Sequence, residues 1–168
     1  MKIIRVICLS IATLVAGLSR TYAQCDIQNK IYADGTMYHF VTPVTFYFDS
    51  NKKLEAGIIT DNENYFIALA PRPFPPRSES KKLKKDILLT LSNRKEYTLR
   101  FYDIEYAPGD TSMKLTYRFD NKDIPDMMKL DAVKIVIDLG KGGDKTYMIR
   151  HRKALLREQL TCLYNRAR

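Results

Sequence analysis

The feature that most constrains this chain is a series of short apolar and aromatic runs separated by polar turns. Apolar and polar residues alternate with a period of two in 96–106 and 112–119, which is typical of strands that cover a core with one face. Clusters of Asn, Asp, Ser and Gly lie between the runs, as hairpin connections require. The pattern therefore predicts a mainly β protein built from antiparallel hairpins.

About eight or nine short strands are predicted between residues 36 and 150. Their predicted ranges are 36–41, 44–49, 54–60, 65–70, 86–91, 96–106, 112–119, 132–139 and 146–150. Strands of this number and length, without long helices between them, favour an antiparallel β-sandwich or a small barrel. The pattern itself leaves the choice between these two architectures open.

The last predicted element is one amphipathic helix over residues 151–164. Leu156, Leu160 and Leu163 fall on one arc of a helical wheel, while Lys153 and Arg157 lie outside that arc. Burying the three leucines against the sheet would contribute about 1.5–3 kcal/mol each. The helix is therefore expected to cap the β structure.

A proline-rich and basic segment interrupts the strands at residues 71–82. Pro71, Pro73, Pro75 and Pro76 cannot donate backbone hydrogen bonds to a sheet, and prolines at this density favour an extended chain. The residues that follow are polar and basic. The segment is therefore expected to be an exposed loop that connects two groups of strands.

Residues 1–23 have the features of a secretory signal peptide. Lys2 and Arg5 precede an apolar stretch over 6–18, which is shorter than the ~20 residues of a membrane span. Thr21 and Ala23 are small residues at the positions expected before a cleavage site. The sequence thus predicts an exported protein, periplasmic or secreted if bacterial, with one domain over 24–168 and no transmembrane segment in it.

Cys25 and Cys162 are the two cysteines outside the predicted signal peptide. In an oxidising compartment an even number of cysteines indicates disulfide pairing, so a bond between these two residues is expected. The alternative is a pair of buried or reduced thiols.

The net charge of +9 is concentrated near the end of the chain. Five basic residues there form the candidate anion-binding surface, namely Lys145, Arg150, Arg152, Lys153 and Arg157. Such a surface could attract an anionic envelope lipid or polysaccharide, or it could be a solvated face. Nucleic acid is not an expected partner, because the chain has no zinc-finger spacing or RNP motif and is predicted to be exported.

No catalytic, cofactor-binding or metal-binding residue is predicted. His39 and His151 are the only histidines, they lie far apart in sequence, and neither belongs to a zinc-binding motif. Asp103 and Glu105 could form a carboxylate pair on one face of a strand, but the sequence does not show that this strand borders a cleft.

The sequence therefore predicts an exported, non-catalytic, β-rich binding or envelope-associated module whose ligand is unknown. Two alternatives stay open: an extracytoplasmic hydrolase acting on glycans or peptides, and a structural or adhesin-type subunit that assembles through sheet edges. A platform of tyrosines that stacks on sugars is a further interpretation, although the sequence does not show which rings are exposed.

Overall fold

The computed structural model describes residues 25–33, 35–140 and 143–166, so the predicted signal peptide over 1–23 lies outside the described residues. The strands are β1 (Ile27–Ile31), β2 (Met37–Val41), β3 (Val44–Phe48), β4 (Lys53–Thr60), β5 (Tyr65–Arg72), β6 (Ile87–Leu91), β7 (Glu96–Tyr106), β8 (Met113–Arg118), β9 (Ala132–Asp138) and β10 (Asp144–Met148). The helices are α1 (Ile124–Met127) and α2 (Leu155–Arg166). The prediction of a mainly β fold with one C-terminal helix is confirmed.

All the strands pair antiparallel in one sheet, in the order β1-β2-β4-β5-β8-β7-β6-β9-β10. The remaining strand, β3, pairs with β4 on the path. The sheet is not closed into a barrel, so the barrel alternative does not apply. Strand β1 was not predicted from the sequence, because four of its five residues are exposed and it lacks an apolar face.

Strands β2 and β3 both pair with β4, at different positions along it. His39 of β2 is opposite Thr60, whereas Val44 of β3 is opposite Ala56. The segment that connects β2 to β3 passes close to Gly57, which lies between these two positions on β4. A Cβ atom on Gly57 would lie 3.0 Å from the carbonyl oxygen of Val41, so only glycine fits there without displacement of the backbone.

Strand β7 joins the two halves of the sheet. Its first residues pair with β6, and the residues from Arg100 onward pair with β8. Because the two ends of β7 pair with different neighbours, the sheet curves around the core and β10 comes back towards β3. Tyr47 of β3 and Tyr147 of β10 meet with ring centroids 5.5 Å apart, although no ladder joins the two strands within the described part of the chain.

Helix α2 packs over the core with Leu156, Leu160 and Leu163 buried, as the helical pattern predicted. It begins at Leu155, later than the predicted residue 151. Arg152 has a left-handed backbone with φ of 51°, and the carbonyl of Lys153 accepts a hydrogen bond from the amide of Ala132. These residues therefore form a turn that ties the helix to β9. None of the helices in the described ranges is long and apolar enough to cross a membrane.

Cys25 and Cys162 lie at the distance of a disulfide, with their Cα atoms 6.0 Å apart. This places the two cysteines as the sequence predicted. Cys162 belongs to the second half of α2, while Cys25 precedes β1 by two residues. The pair therefore links the C-terminal helix to the strand at one edge of the sheet.

The segment 71–82 is largely exposed, and regular secondary structure covers both of its ends. Strand β5 extends through Arg72, with Pro71 buried opposite Leu54 of β4. The other neighbour of β5, strand β8, pairs only as far as Leu69, so proline lies where β5 has one partner. A 3₁₀ segment over Arg77–Leu83 follows and buries its last residue.

A candidate binding groove between two sheet edges

A groove of about 820 Å³ lies where β3 and β10 face each other, and we call it the seam groove. One wall is β3 with the turn that leads into β4, and the other is β10 with the segment that leads into α2. These walls come from residues 45–53 and 146–152. The groove therefore exists only because the sheet curves back on itself.

The free edge of β10 faces the seam groove. The amide of Ile149 donates to Val133, and the carbonyl of Gly143 accepts from Leu139, so the odd-numbered residues of β10 bond to β9. By the alternation of an antiparallel ladder, Thr146 presents its backbone groups to the open side. The ammonium of Lys52 donates to the carbonyl oxygen of Thr146 at 2.9 Å, so this edge carbonyl is already satisfied.

Exposed apolar side chains border the groove. Phe48 is 69% exposed and Met148 is 49% exposed, although both are large and apolar. Between the walls, the Lys52 ammonium lies 5.5 Å from the ring centroid of Tyr47 and 5.4 Å from that of Tyr147. The groove thus combines apolar surface with rings that already hold one cation.

Cationic side chains dominate the charge of the groove. Lys53 is paired with Glu55 at 2.6 Å, but Arg150 and Arg152 form no ion pair with any described residue. Their guanidinium groups are therefore available to an anion, and guanidinium favours paired oxygens such as those of phosphate or carboxylate.

The one carboxylate in the groove, that of Asp49, is held by three donors. It accepts a hydrogen bond of 2.5 Å from the Tyr47 hydroxyl and two of 2.8 Å from the amides of Asn51 and Lys52. The bond from Tyr47 is the main cause that lowers the pKa of Asp49, and the same bond raises the pKa of Tyr47. Asp49 therefore stays ionised and organises the turn, which leaves it poorly suited to general acid catalysis.

Arg152 has an unusual backbone for a residue with a long side chain. Its φ of 51° lies in the left-handed region, where glycine is favoured. Such conformations persist where surrounding structure fixes them, and they occur often at functional sites. Here the turn between β10 and α2 fixes the conformation and places Arg152 at the groove.

The structure divides the five basic residues of the predicted anion-binding surface. Arg150 and Arg152 line the groove, whereas Arg157 is engaged by Asp131 at 3.2 Å. Lys153 is exposed outside the groove lining, and Lys145 is half-buried in β10.

Sequence reasoning missed the other wall of the groove. Lys52, Tyr47 and Phe48 lie about a hundred residues before Arg150, and the sequence pattern assigned them to a strand and an ordinary turn. The signal in the sequence that could have indicated this wall was the pair Lys52 and Lys53, which follows the aromatic run 46–48. Nothing in that signal showed that β10 would lie opposite.

The two histidines occupy different environments. His151 is exposed and lines the groove, while His39 is buried in β2, with Nδ1 2.7 Å from the side-chain oxygen of Asn29. Within residues 25–33, 35–140 and 143–166, no group of three His, Cys, Asp or Glu side chains could hold a metal ion.

Comparisons with protein-family models, with curated proteins and with solved structures give no match to this chain.

Proposed function

We propose that this protein is an exported, non-catalytic binding module whose seam groove binds the head group of an anionic envelope lipid. The observation that carries the proposal is the position of the guanidinium groups of Arg150 and Arg152, which form no ion pair with any described residue, beside the exposed side chains of Phe48 and Met148. An anionic lipid presents a charged phosphate next to apolar chains. The groove offers complementary groups for both parts.

The two kinds of contact contribute comparable amounts. Each Arg or Lys near an anionic membrane surface contributes about 1 kcal/mol. Full burial of a phenylalanine side chain contributes about 1.5–3 kcal/mol, so partial insertion of Phe48 adds a similar amount. Neither contact is sufficient for firm binding, and the proposal therefore requires both.

An anionic polysaccharide shares the negative charge but lacks acyl chains. Such a ligand would use Arg150 and Arg152 and would gain little from Phe48. The exposed apolar side chains therefore favour the lipid over the polysaccharide, and loss of Phe48 distinguishes the two ligands.

The test is co-sedimentation of the purified protein with vesicles of phosphatidylglycerol and phosphatidylcholine, over a series of salt concentrations. Vesicles of phosphatidylcholine alone and a soluble anionic polysaccharide, alginate, form the other arms. We expect binding only to the anionic vesicles, and we expect it to weaken as salt rises. The absence of binding to these vesicles at low salt would overturn the proposal.

Three variants make the test specific to the groove. Replacing both Arg150 and Arg152 with Ala removes about 2 kcal/mol, which is about 30-fold in affinity. Phe48→Ala should weaken vesicle binding without affecting any binding to alginate. The matched control replaces Lys81 and Lys84, two exposed lysines outside the groove, and should leave vesicle binding almost unchanged although it removes the same charge.

The two alternative functions receive less support from the groove. A hydrolase would need a carboxylate free to exchange protons, and Asp49 is fixed by three donors. Assembly through the edge of β10 would need the carbonyl of Thr146, which Lys52 occupies.

A further inference from the structure

A second concave surface lies on the outer face of the sheet, away from the groove, and we call it the aromatic cleft. Its rings are those of Tyr32, Tyr38, Phe66 and Tyr102. The centroids of Tyr38 and Phe66 are 6.4 Å apart, and those of Phe66 and Tyr102 are 4.6 Å apart. Because Phe66 is buried beneath its neighbours while Tyr102 is 53% exposed, the rings form a floor and walls.

The rings are tilted against one another instead of lying in one plane. The interplanar angle is 71° between Tyr32 and Tyr38, 55° between Tyr38 and Phe66, and 50° between Phe66 and Tyr102. A flat stacking platform would need nearly coplanar rings. Several tilted rings that line one space are instead typical of cages for organic cations.

A β-bulge brings a carboxylate into the same cleft. Phe101 is opposite Tyr117 and Asp103 is opposite Thr116, so Tyr102 is an extra residue in β7. In a regular strand Tyr102 and Asp103 would point to opposite faces. The bulge leaves both exposed, and both line the cleft.

The residues that line the cleft carry one net negative charge. Glu105 is neutralised by an ion pair with Lys114, and Asp103 forms no hydrogen bond or ion pair with any described residue. The available space is about 210 Å³, which equals the volume of about seven water molecules at ~30 Å³ each. One small organic group of positive charge fits this space and this charge.

We propose that the aromatic cleft binds a quaternary ammonium group, with the rings of Tyr38 and Tyr102 facing the cation and the carboxylate of Asp103 balancing its charge. Beside the cleft, the ammonium of Lys30 lies 4.7 Å from the ring centroid of Tyr32. Because the ring of Tyr32 already contacts this cation, the ligand is assigned to the rings of Tyr38 and Tyr102. The cleft shares no lining residue with the seam groove, so the two proposals stand independently.

The test is an NMR titration of the purified protein with choline, at constant ionic strength. Its matched control ligand is dimethylbutanol, the uncharged isostere in which carbon replaces the quaternary nitrogen. We expect choline to shift the resonances of the cleft with a dissociation constant on the order of 1 mM. The neutral isostere should bind at least about tenfold more weakly, because it retains the shape and loses the charge.

Variants separate the charge from the apolar contact. Asp103→Asn should weaken choline binding about tenfold and leave dimethylbutanol unaffected, and Tyr102→Ala should abolish the shifts caused by choline. Both residues are exposed, so the variants should fold. Phe48→Ala, in the seam groove, should bind choline like the original protein.

Three results would overturn the proposal. One is equal binding of choline and dimethylbutanol, and another is an unchanged affinity for choline in the Asp103→Asn variant. The third is binding of a neutral sugar, tested with cellohexaose, in a cleft that does not bind choline.

Discussion

The link between Cys25 and Cys162 provides the sharpest prediction about stability. The two residues are 137 positions apart, so a disulfide between them closes most of the described chain into one loop. In the chain-entropy model a loop of about 100 residues contributes about 4.7 kcal/mol, and the dependence on length is logarithmic. The bond should therefore contribute up to about 5 kcal/mol to the free energy of unfolding.

The structure shows what the link holds in place. Among the described residues, strand β1 pairs with β2 alone, and it lies at the edge of the sheet with four of its five residues exposed. Apart from the cysteine pair, little buried surface ties this strand to the remainder of the molecule. Loss of the link should therefore release β1 first and lower the stability of the whole domain.

The assay is urea unfolding of the oxidised protein, the reduced protein and the variant in which Ala replaces both cysteines. We expect a loss of about 3–5 kcal/mol, which corresponds to about 10–20 °C in the melting temperature. Each single replacement should cost as much as the double replacement, since either one removes the same bond. A loss below about 1 kcal/mol, or two reactive thiols in the oxidised protein, would refute the reasoning.

Two further predictions concern the sheet. Gly57→Ala should destabilise the protein by about 1–3 kcal/mol in urea unfolding, because the new Cβ would lie 3.0 Å from the backbone oxygen of Val41. An unchanged urea midpoint would show that the backbone relaxes without cost. Asp138 has its pKa lowered, mainly by the hydrogen bond from Lys85 and then by that from the Gly140 amide. Its contribution to stability is therefore present above the pKa of an unfolded Asp, about 3.9, and is lost as the pH falls through the lower folded value. The measurement compares urea midpoints at about pH 6 and about pH 3. The Asp138→Asn variant should thus lose less stability over this range than the original protein does. Equal losses would contradict the proposed contribution of Asp138 to stability.

The alternating strands were predictable because one face of each strand packs on the core and the other face is more exposed to water. The apolar residues of β8, namely Met113, Leu115 and Tyr117, repeat with a period of two and are all buried in the core. Strand β1 gave no such signal, since both its faces are largely exposed. The bulge at Tyr102 was also missed, because it depends on the pairing of β7 with β8 and changes the face of Asp103 without any change in composition.

The seam groove was only half predictable. Arg150 and Arg152 belong to a local cluster of positive charge that the sequence shows. Their partners Lys52 and Phe48 reach the same place through the curvature of the whole sheet, which no local pattern encodes. Arg157 shows the opposite case, in which a residue of the cluster is taken up by a tertiary ion pair with Asp131.

The open seam also has a mechanical consequence. No ladder of backbone hydrogen bonds joins β3 to β10 in the described chain, and the contacts across it include the Lys52 hydrogen bond and the Tyr47–Tyr147 ring contact. Widening the seam therefore breaks no backbone ladder, whereas separation of β4 from β5 would break the bonds of a register that is eight residues long. Helix α2 packs on both β4 and β9, so it spans the two sides of the sheet that meet at the seam. The groove can thus change its width while the strand pairs on either side of it stay intact.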